Sequence, residues 1–241
     1  MEPVAPLPAA LDLSRVCVVI PAWNEAEVIG AVVVEALAQG VGEVVLADGG
    51  STDGTQAAAW AAGAQVLDAG RGCAAGAAAV RPGCDVIAFM DGDGADCGDQ
   101  LPRLAQPVMN GAQDFVIASR TRGNRTPGSM SWHQVAAGAV AGRLIGALYG
   151  VRYTDMCAFR VINRDALNRL GMAEMTYGWN IEMQMKAARH GLRILELRVP
   201  YRCRVGGQSK VAGSLRGTLR ASGKIVSTFA RVAVAGTDRS P

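Results

Sequence analysis

Aromatic residues make up only 5% of this 241-residue chain, and histidine occurs twice, at His133 and His190. With aromatics so sparse, and with no helix-turn-helix, zinc-finger or RNA-binding signature, nucleic acid is not the partner its basic residues point to. The six cysteines, Cys17, Cys73, Cys84, Cys97, Cys157 and Cys203, contain no CxxC pair and no metal-ligand spacing to either histidine. They read as reduced thiols of a cytoplasmic protein. No lysine-bearing glycine loop and no GxGxxG follows the first apolar run, which removes the usual triphosphate and dinucleotide fingerprints. The proline-rich start lacks the basic n-region of a signal peptide. The longest weakly polar stretch, residues 135–151, contains Arg143 and many glycines and alanines, which suits a buried or surface-lying helix better than an apolar span of about 20 residues.

What the chain has is apolar content, 50% of it, enough for one large α/β domain or two small ones. Its charge is divided. Up to Asp114 there are 4 lysines and arginines against 15 acidic residues, and from Phe115 onward 20 against 6. An acidic half and a basic half suggest a cleft with a cation on one side and anion-binding side chains on the other.

Residues 86–90 form an apolar run ending in Asp91-Gly92-Asp93. Such a run suits a central strand of a covered parallel sheet, whose ligands lie beyond the strands' carboxyl ends. Two hard oxygen ligands there can share Mg2+ or Mn2+, which takes its remaining ligands from phosphate and water; the plainer alternative is a polar turn. Strands are also expected over residues 15–20, 43–48, 64–67 and 114–120, with helices over 28–37, 56–62 and 101–109. The alternation predicts an α/β fold with a mostly parallel sheet and helices on both faces. Asn24 either caps the first helix or sits in a ligand loop. Asp48, at a strand end, can accept hydrogen bonds from a base or ribose, while Asp53 ties down its own loop. Arg71, among glycines, can reach a phosphate. Arg122 and Arg125 lie in a polar stretch, residues 121–131, that either closes over an anionic acceptor or merely connects.

The ordered set IPAWNEAEVI, ADGGSTDGT, Asp91-Gly92-Asp93, DFVIASR, TDMCAFRVINRDAL and GGQSKVAGSLRGTLR resembles the family 2 glycosyltransferases of GT-A, Rossmann-like fold. The resemblance covers roughly residues 15–225, and the second half is most similar to the dolichyl-phosphate mannose synthase and polyprenyl-phosphate glycosyltransferase branch. The resemblance implies that Pro21, Ala22, Asn24 and Glu25 hold base and ribose and that Asp48 binds the base. It implies that Asp93 is the main metal ligand of a DXD motif, with Asp91 reading ribose or a metal-bound water and Gly92 leaving room for the donor. Arg120 then faces phosphate or acceptor, and Arg204 and Lys210 close over the donor diphosphate. Gly49, Ala95 and Ala158 depart from the family pattern.

The expected activity is inverting, metal-dependent transfer from a nucleotide-diphospho-sugar, of GDP-mannose or UDP-glucose type, to a polyprenyl phosphate. The alternatives are a soluble hydroxyl acceptor or a non-catalytic sugar-nucleotide-binding module. An anionic acceptor needs only positioning, by Arg120, Arg122 and Arg125; a hydroxyl needs a base, for which Asp155 and Glu182 are the candidates. Each has a plainer reading: Asp155 pairing with Arg160 or capping a turn, Glu182 pairing with Lys186. The expected organisation is an extension (1–14), one transferase domain (15–213) and a basic amphipathic helix with its tail (214–241). That helix lies on anionic lipid at the inner face of the cell membrane, or packs on the sheet or on a second subunit of a homo-oligomer.

Overall fold

The computed structural model describes residues 11–68, 72–205 and 215–235; Arg71 and Lys210 lie outside the described residues. The strands β1 (Val16–Ala22), β2 (Glu43–Asp48), β3 (Gln65–Asp68), β4 (Val86–Phe89), β5 (Phe115–Ser119), β6 (Arg160–Asn163) and β7 (Ile194–Arg198) form one sheet. Their order is β3-β2-β1-β4-β6-β5-β7. β6 runs antiparallel to β4 and β5, and every other pair is parallel. The helices are α1 (Ala26–Leu37), α2 (Thr55–Ala61), α3 (Gly72–Ala79), α4 (Leu101–Met109), α5 (Trp132–Tyr149), α6 (Arg164–Leu170), α7 (Trp179–Arg189) and α8 (Leu215–Val234).

Nearly every residue of β1, β2, β4 and β5 is buried, which explains their unbroken apolar runs: a strand covered on both faces has no polar side to alternate with. α1 packs on α2, while α3 lies over β1 and β2. Right-handed crossovers put the first two helices on one face and α3, which carries the chain back from β3 to β4, on the other. Gly76 permits that return, because a Cβ there would collide with the Val19 side chain. Strand order thus reverses between β1 and β4, the position where open α/β sheets bind ligands.

β6 and β7 are absent from the strand reading of the sequence. β6 has a clear role in placement: β5 ends at the carboxyl edge of the sheet, and an antiparallel partner must begin there. Residues 154–160 are thereby brought to the same edge as Asp91. The cysteines also need correction, since Cys17 and Cys84 are joined in a disulfide with Cα atoms 5.9 Å apart, 67 residues apart in sequence. Pairing of β1 with β4 makes them neighbours; Cys73, Cys97, Cys157 and Cys203 are free.

No helix among the described residues is long and apolar enough to cross a membrane. The stretch around 135–151 becomes α5, which buries Gly138, Gly142 and Ile145 and leaves Trp132, Val140, Leu144 and Leu148 exposed. α8 packs on α7. Its Val232 and Thr228 are buried, and Thr228 Oγ1 donates to Glu174 Oε2 at 3.0 Å. Lys224 lies 3.1 Å from the same oxygen, and Arg231 donates to Glu182 Oε1 at 3.2 Å.

Burial raises the Glu174 carboxyl, but hydrogen bonds from Thr176, Lys224 and Thr228 outweigh it and bring its pKa from 4.5 to about 2. A depressed folded value means that this contribution is present above the unfolded pKa and lost as pH falls through the folded one. Glu174→Gln should therefore destabilise the docked helix by about 2 kcal/mol and speed amide exchange in α8 at neutral pH. In the wild type the same loosening should appear between about pH 4.5 and pH 2. Protection of α8 that stays constant across that window, after correction for the intrinsic pH dependence of exchange, would refute the role of Glu174 in docking the helix.

Candidate active site

Two loops at the switch point are tied to each other. Asn24 is the one non-glycine residue with positive φ among the described residues, at 53°, a conformation of the kind that accumulates at ligand sites. It does not cap α1: its Oδ1 accepts from Thr52 N at 2.9 Å and its own N–H donates to Ser51 Oγ at 2.8 Å. The N–H of Glu25 donates to Thr55 Oγ1 at 2.8 Å, and that of Ala26 to Asp53 Oδ2 at 3.1 Å. Asp53 thus fixes its loop and also serves the first turn of α1. Pro21 and Ala22 form the end of β1 beneath these contacts, and Trp23 is 47% exposed beside them.

Asp48 lies at the root of the second loop. It is fully buried, and its carboxylate accepts from Gly50 N, Ser51 N, Ser51 Oγ and Gln56 Nε2. Burial raises its pKa, yet those bonds together lower it. These bonds make the group the organising centre of the β2–α2 loop. Gly92 is tightly packed: a Cβ there would press on Ile29, Ala22 and Ile20, so its lack of a side chain serves close packing under the loop.

Asp91 and Asp93 emerge beyond β4. Asp93 Oδ1 accepts from Ala95 N at 3.0 Å, and Arg204 Nη2 stands 3.4 Å from Oδ2. Arg204 also donates to Glu25 Oε1 at 3.2 Å, joining the first loop to the carboxylate pair. Burial, then the charge of Asp93, pushes the Asp91 carboxyl up to about 6, against the opposing influence of Arg120, Arg160 and Arg204. Two carboxylates that repel each other across one strand end, built only of hard oxygen donors, fit a divalent cation such as Mg2+ or Mn2+. Asp96, which sequence reasoning passed over, accepts from Asp91 N at 2.9 Å; burial and the charge of Asp91 push it up to about 8. Its only sequence signal is a third aspartate in the same short loop.

The basic side is only partly free. Arg120 forms a bidentate pair with Asp155, with Nε to Oδ2 at 2.9 Å and Nη2 to Oδ1 at 2.8 Å. Asp155 therefore pairs with Arg120 and not with Arg160, whose fully buried guanidinium donates to the carbonyls of Ala158, Asn180 and Cys157. Burial works against the Asp155 charge, but the Arg120 bonds and charge hold its pKa low. Glu182 is likewise engaged, accepting from Ala173 N at 3.0 Å and Glu174 N at 2.7 Å and pairing with Lys186 and Arg231. Arg122 and Arg125 are exposed, the former 3.8 Å from Glu196. Arg71 and Lys210 fall outside the described residues.

Comparison with known proteins agrees with this geometry. The model of glycosyl transferase family 2 matches residues 17–171. An uncharacterized glycosyltransferase of Mycobacterium tuberculosis is 36% identical over 210 residues, covering 85% of this chain and 93% of that protein. The polyprenol monophosphomannose synthase of Mycolicibacterium smegmatis is 29% identical, covering 83% and 82%. Among solved structures, the glucosyl-3-phosphoglycerate synthase of M. tuberculosis in complex with Mn2+, UDP and glucosyl-3-phosphoglycerate superposes with a TM-score of 0.68 at 20% identity, covering 90% of this chain and 79% of that one. The same mostly parallel sheet and the same family model lead to one statement: this chain belongs to the family 2 glycosyltransferases, and its fold is GT-A.

Proposed function

We propose that the protein transfers a sugar from a nucleotide-diphospho-sugar, of GDP-mannose or UDP-glucose type, to a polyprenyl phosphate, inverting the anomeric centre. The observation that carries the choice of acceptor is the state of the two candidate bases: Asp155 and Glu182 are both held in buried ion pairs. A hydroxyl acceptor needs a group to take its proton, whereas a phosphate monoester arrives already ionised. Relatives whose names specify polyprenyl-phosphate acceptors support the same reading.

Asp91 and Asp93 are the residues to hold Mg2+ or Mn2+, which when bound neutralises charge developing on the departing diphosphate. Arg204 adds a guanidinium on the same side and, through Glu25, keeps the first loop in register with it. The exposed Arg122 and Arg125 attract and orient the acceptor phosphate. One of its oxygens bonds to the anomeric carbon as the bond from that carbon to the donor phosphate breaks, and the nucleoside diphosphate leaves with the electron pair. Arg120 acts on this reading as the support of the basic loop, anchored by Asp155.

A lipid acceptor brings the protein to a membrane. The exposed face of α5 follows the basic loop directly and repeats apolar residues at Trp132, Val140, Leu144 and Leu148, with Arg143 as the helix's sole charged residue. Peripheral contact through that face and through the basic residues is part of the proposal.

Activity is tested with labelled GDP-mannose and UDP-glucose, Mn2+, and either undecaprenyl phosphate or 3-phosphoglycerate as acceptor. Label should pass to the lipid, and Asp93→Ala or Arg204→Ala should lower that transfer at least about 100-fold. Transfer to 3-phosphoglycerate alone would overturn the acceptor assignment. Vesicles containing phosphatidylglycerol should retain the protein at low salt and release it at high salt. The pair Leu144→Glu and Leu148→Glu should weaken that retention, and equal retention would remove α5 from the contact.

A further inference from the structure

The segment from Val199 to Val205 touches the end of β5 and two loops in succession. Val199 N donates to Ser119 O at 3.3 Å, at the end of β5, and a Cβ on Gly123 would collide with the Val199 carbonyl. Tyr201 then binds the basic loop with both backbone groups, its N–H to Asn124 O at 3.1 Å and its carbonyl from Thr126 N at 2.9 Å. Immediately after, Arg202 N donates to Ala95 O at 3.0 Å and Val205 N to Asp93 O at 3.2 Å. Tyr201 is accordingly bridged to Asp96 on one side and to Arg125 on the other. Tyr201 is 9% exposed, and the guanidinium of Arg120 lies over its ring, 5.0 Å from the centroid. That guanidinium is the one locked to Asp155.

We propose that Tyr201 is a positioning residue that couples the loop bearing Arg122 and Arg125 to the loop bearing Asp91 and Asp93. The coupling deepens the sugar-transfer reading above and rests on it. Residue 201 is the point where the two loops share one backbone, and its ring is the surface that fixes Arg120 at the root of the basic loop. A flat ring under a guanidinium is an attraction that a branched aliphatic side chain of similar bulk does not supply. Order imposed on the carboxylate loop by a bound nucleotide therefore reaches the acceptor loop through this residue. Acceptor affinity, more than donor affinity, depends on it.

Hydrogen exchange on the full chain tests this with Mn2+ and GDP or UDP as the probe. In the wild type, nucleotide should slow exchange at residues 91–96 and also at 122–126. Tyr201→Leu should keep the first protection and lose the second, and Tyr201→Phe should restore both. In the transfer assay Tyr201→Leu should raise KM for undecaprenyl phosphate about tenfold, with nucleotide Kd changed less than twofold and Tyr201→Phe near wild type. Should Tyr201→Leu not fold, Arg120→Lys, which keeps charge beside Asp155 but removes the flat group from the ring, must give the same selective loss. Protection at 91–96 without protection at 122–126 in the wild type would overturn the coupling alone. Absence of protection at both would overturn the nucleotide reading and the coupling with it. Equal loss of donor and acceptor binding in Tyr201→Leu would reduce the residue to a structural one.

Discussion

Parallel pairing of β1 with β4, from Val16 opposite Val86 to Val19 opposite Phe89, is the constraint on which the candidate site depends. Strands 70 residues apart in sequence are set side by side in the same direction, so their following loops leave the sheet together. One supplies the turn at Asn24 and the other the carboxylates at Asp91 and Asp93. Helices on both faces bury the strands, and burial leaves polar chemistry only at the edges. β6 then enters on the other side of β4 in the reverse direction and brings Arg160 opposite Phe89.

The division of charge along the chain is resolved by folding rather than preserved. Arg204 from the basic half meets Glu25 and Asp93 from the acidic half, and Arg202 meets Glu35 at 2.9 Å. Placement decides which of these pairs matter. Arg15 with Asp85 and Arg193 with Asp114 sit at the surface, where a pair is worth at most about 1 kcal/mol. Arg120 with Asp155 is enclosed, and removal of either partner would leave a buried charge without its counterpart, a loss of about 3–5 kcal/mol. That difference makes Asp155 a support for the basic loop.

The frame was legible where chemistry is local. Residues 43–48 and 101–109 form the strand and helix that their apolar patterns indicate, and the carboxylates fall at a strand end because a covered strand must stop where its apolar run stops. What escaped sequence reading depends on distance along the chain. Asp48 and Asn24 carry residue types suited to ligand binding, and the loop contacts they also make, to residues 50–56, have no signal in the sequence. The partner of Asp155 lies 35 residues away, and that of Cys17 lies 67; no periodicity encodes either. The short antiparallel strand β6 lacks the length and turn signals by which a strand is recognised, although its motif was visible as a resemblance.

Arg160 has a further consequence. A buried guanidinium usually faces a carboxylate that cancels its field, but this one is satisfied by three backbone carbonyls. Neutral dipoles meet its hydrogen-bonding demand without removing its net charge, and the remaining field falls on Asp91. Arg160 thus opposes, from within the fold, the burial and the like charge of Asp93 that raise Asp91.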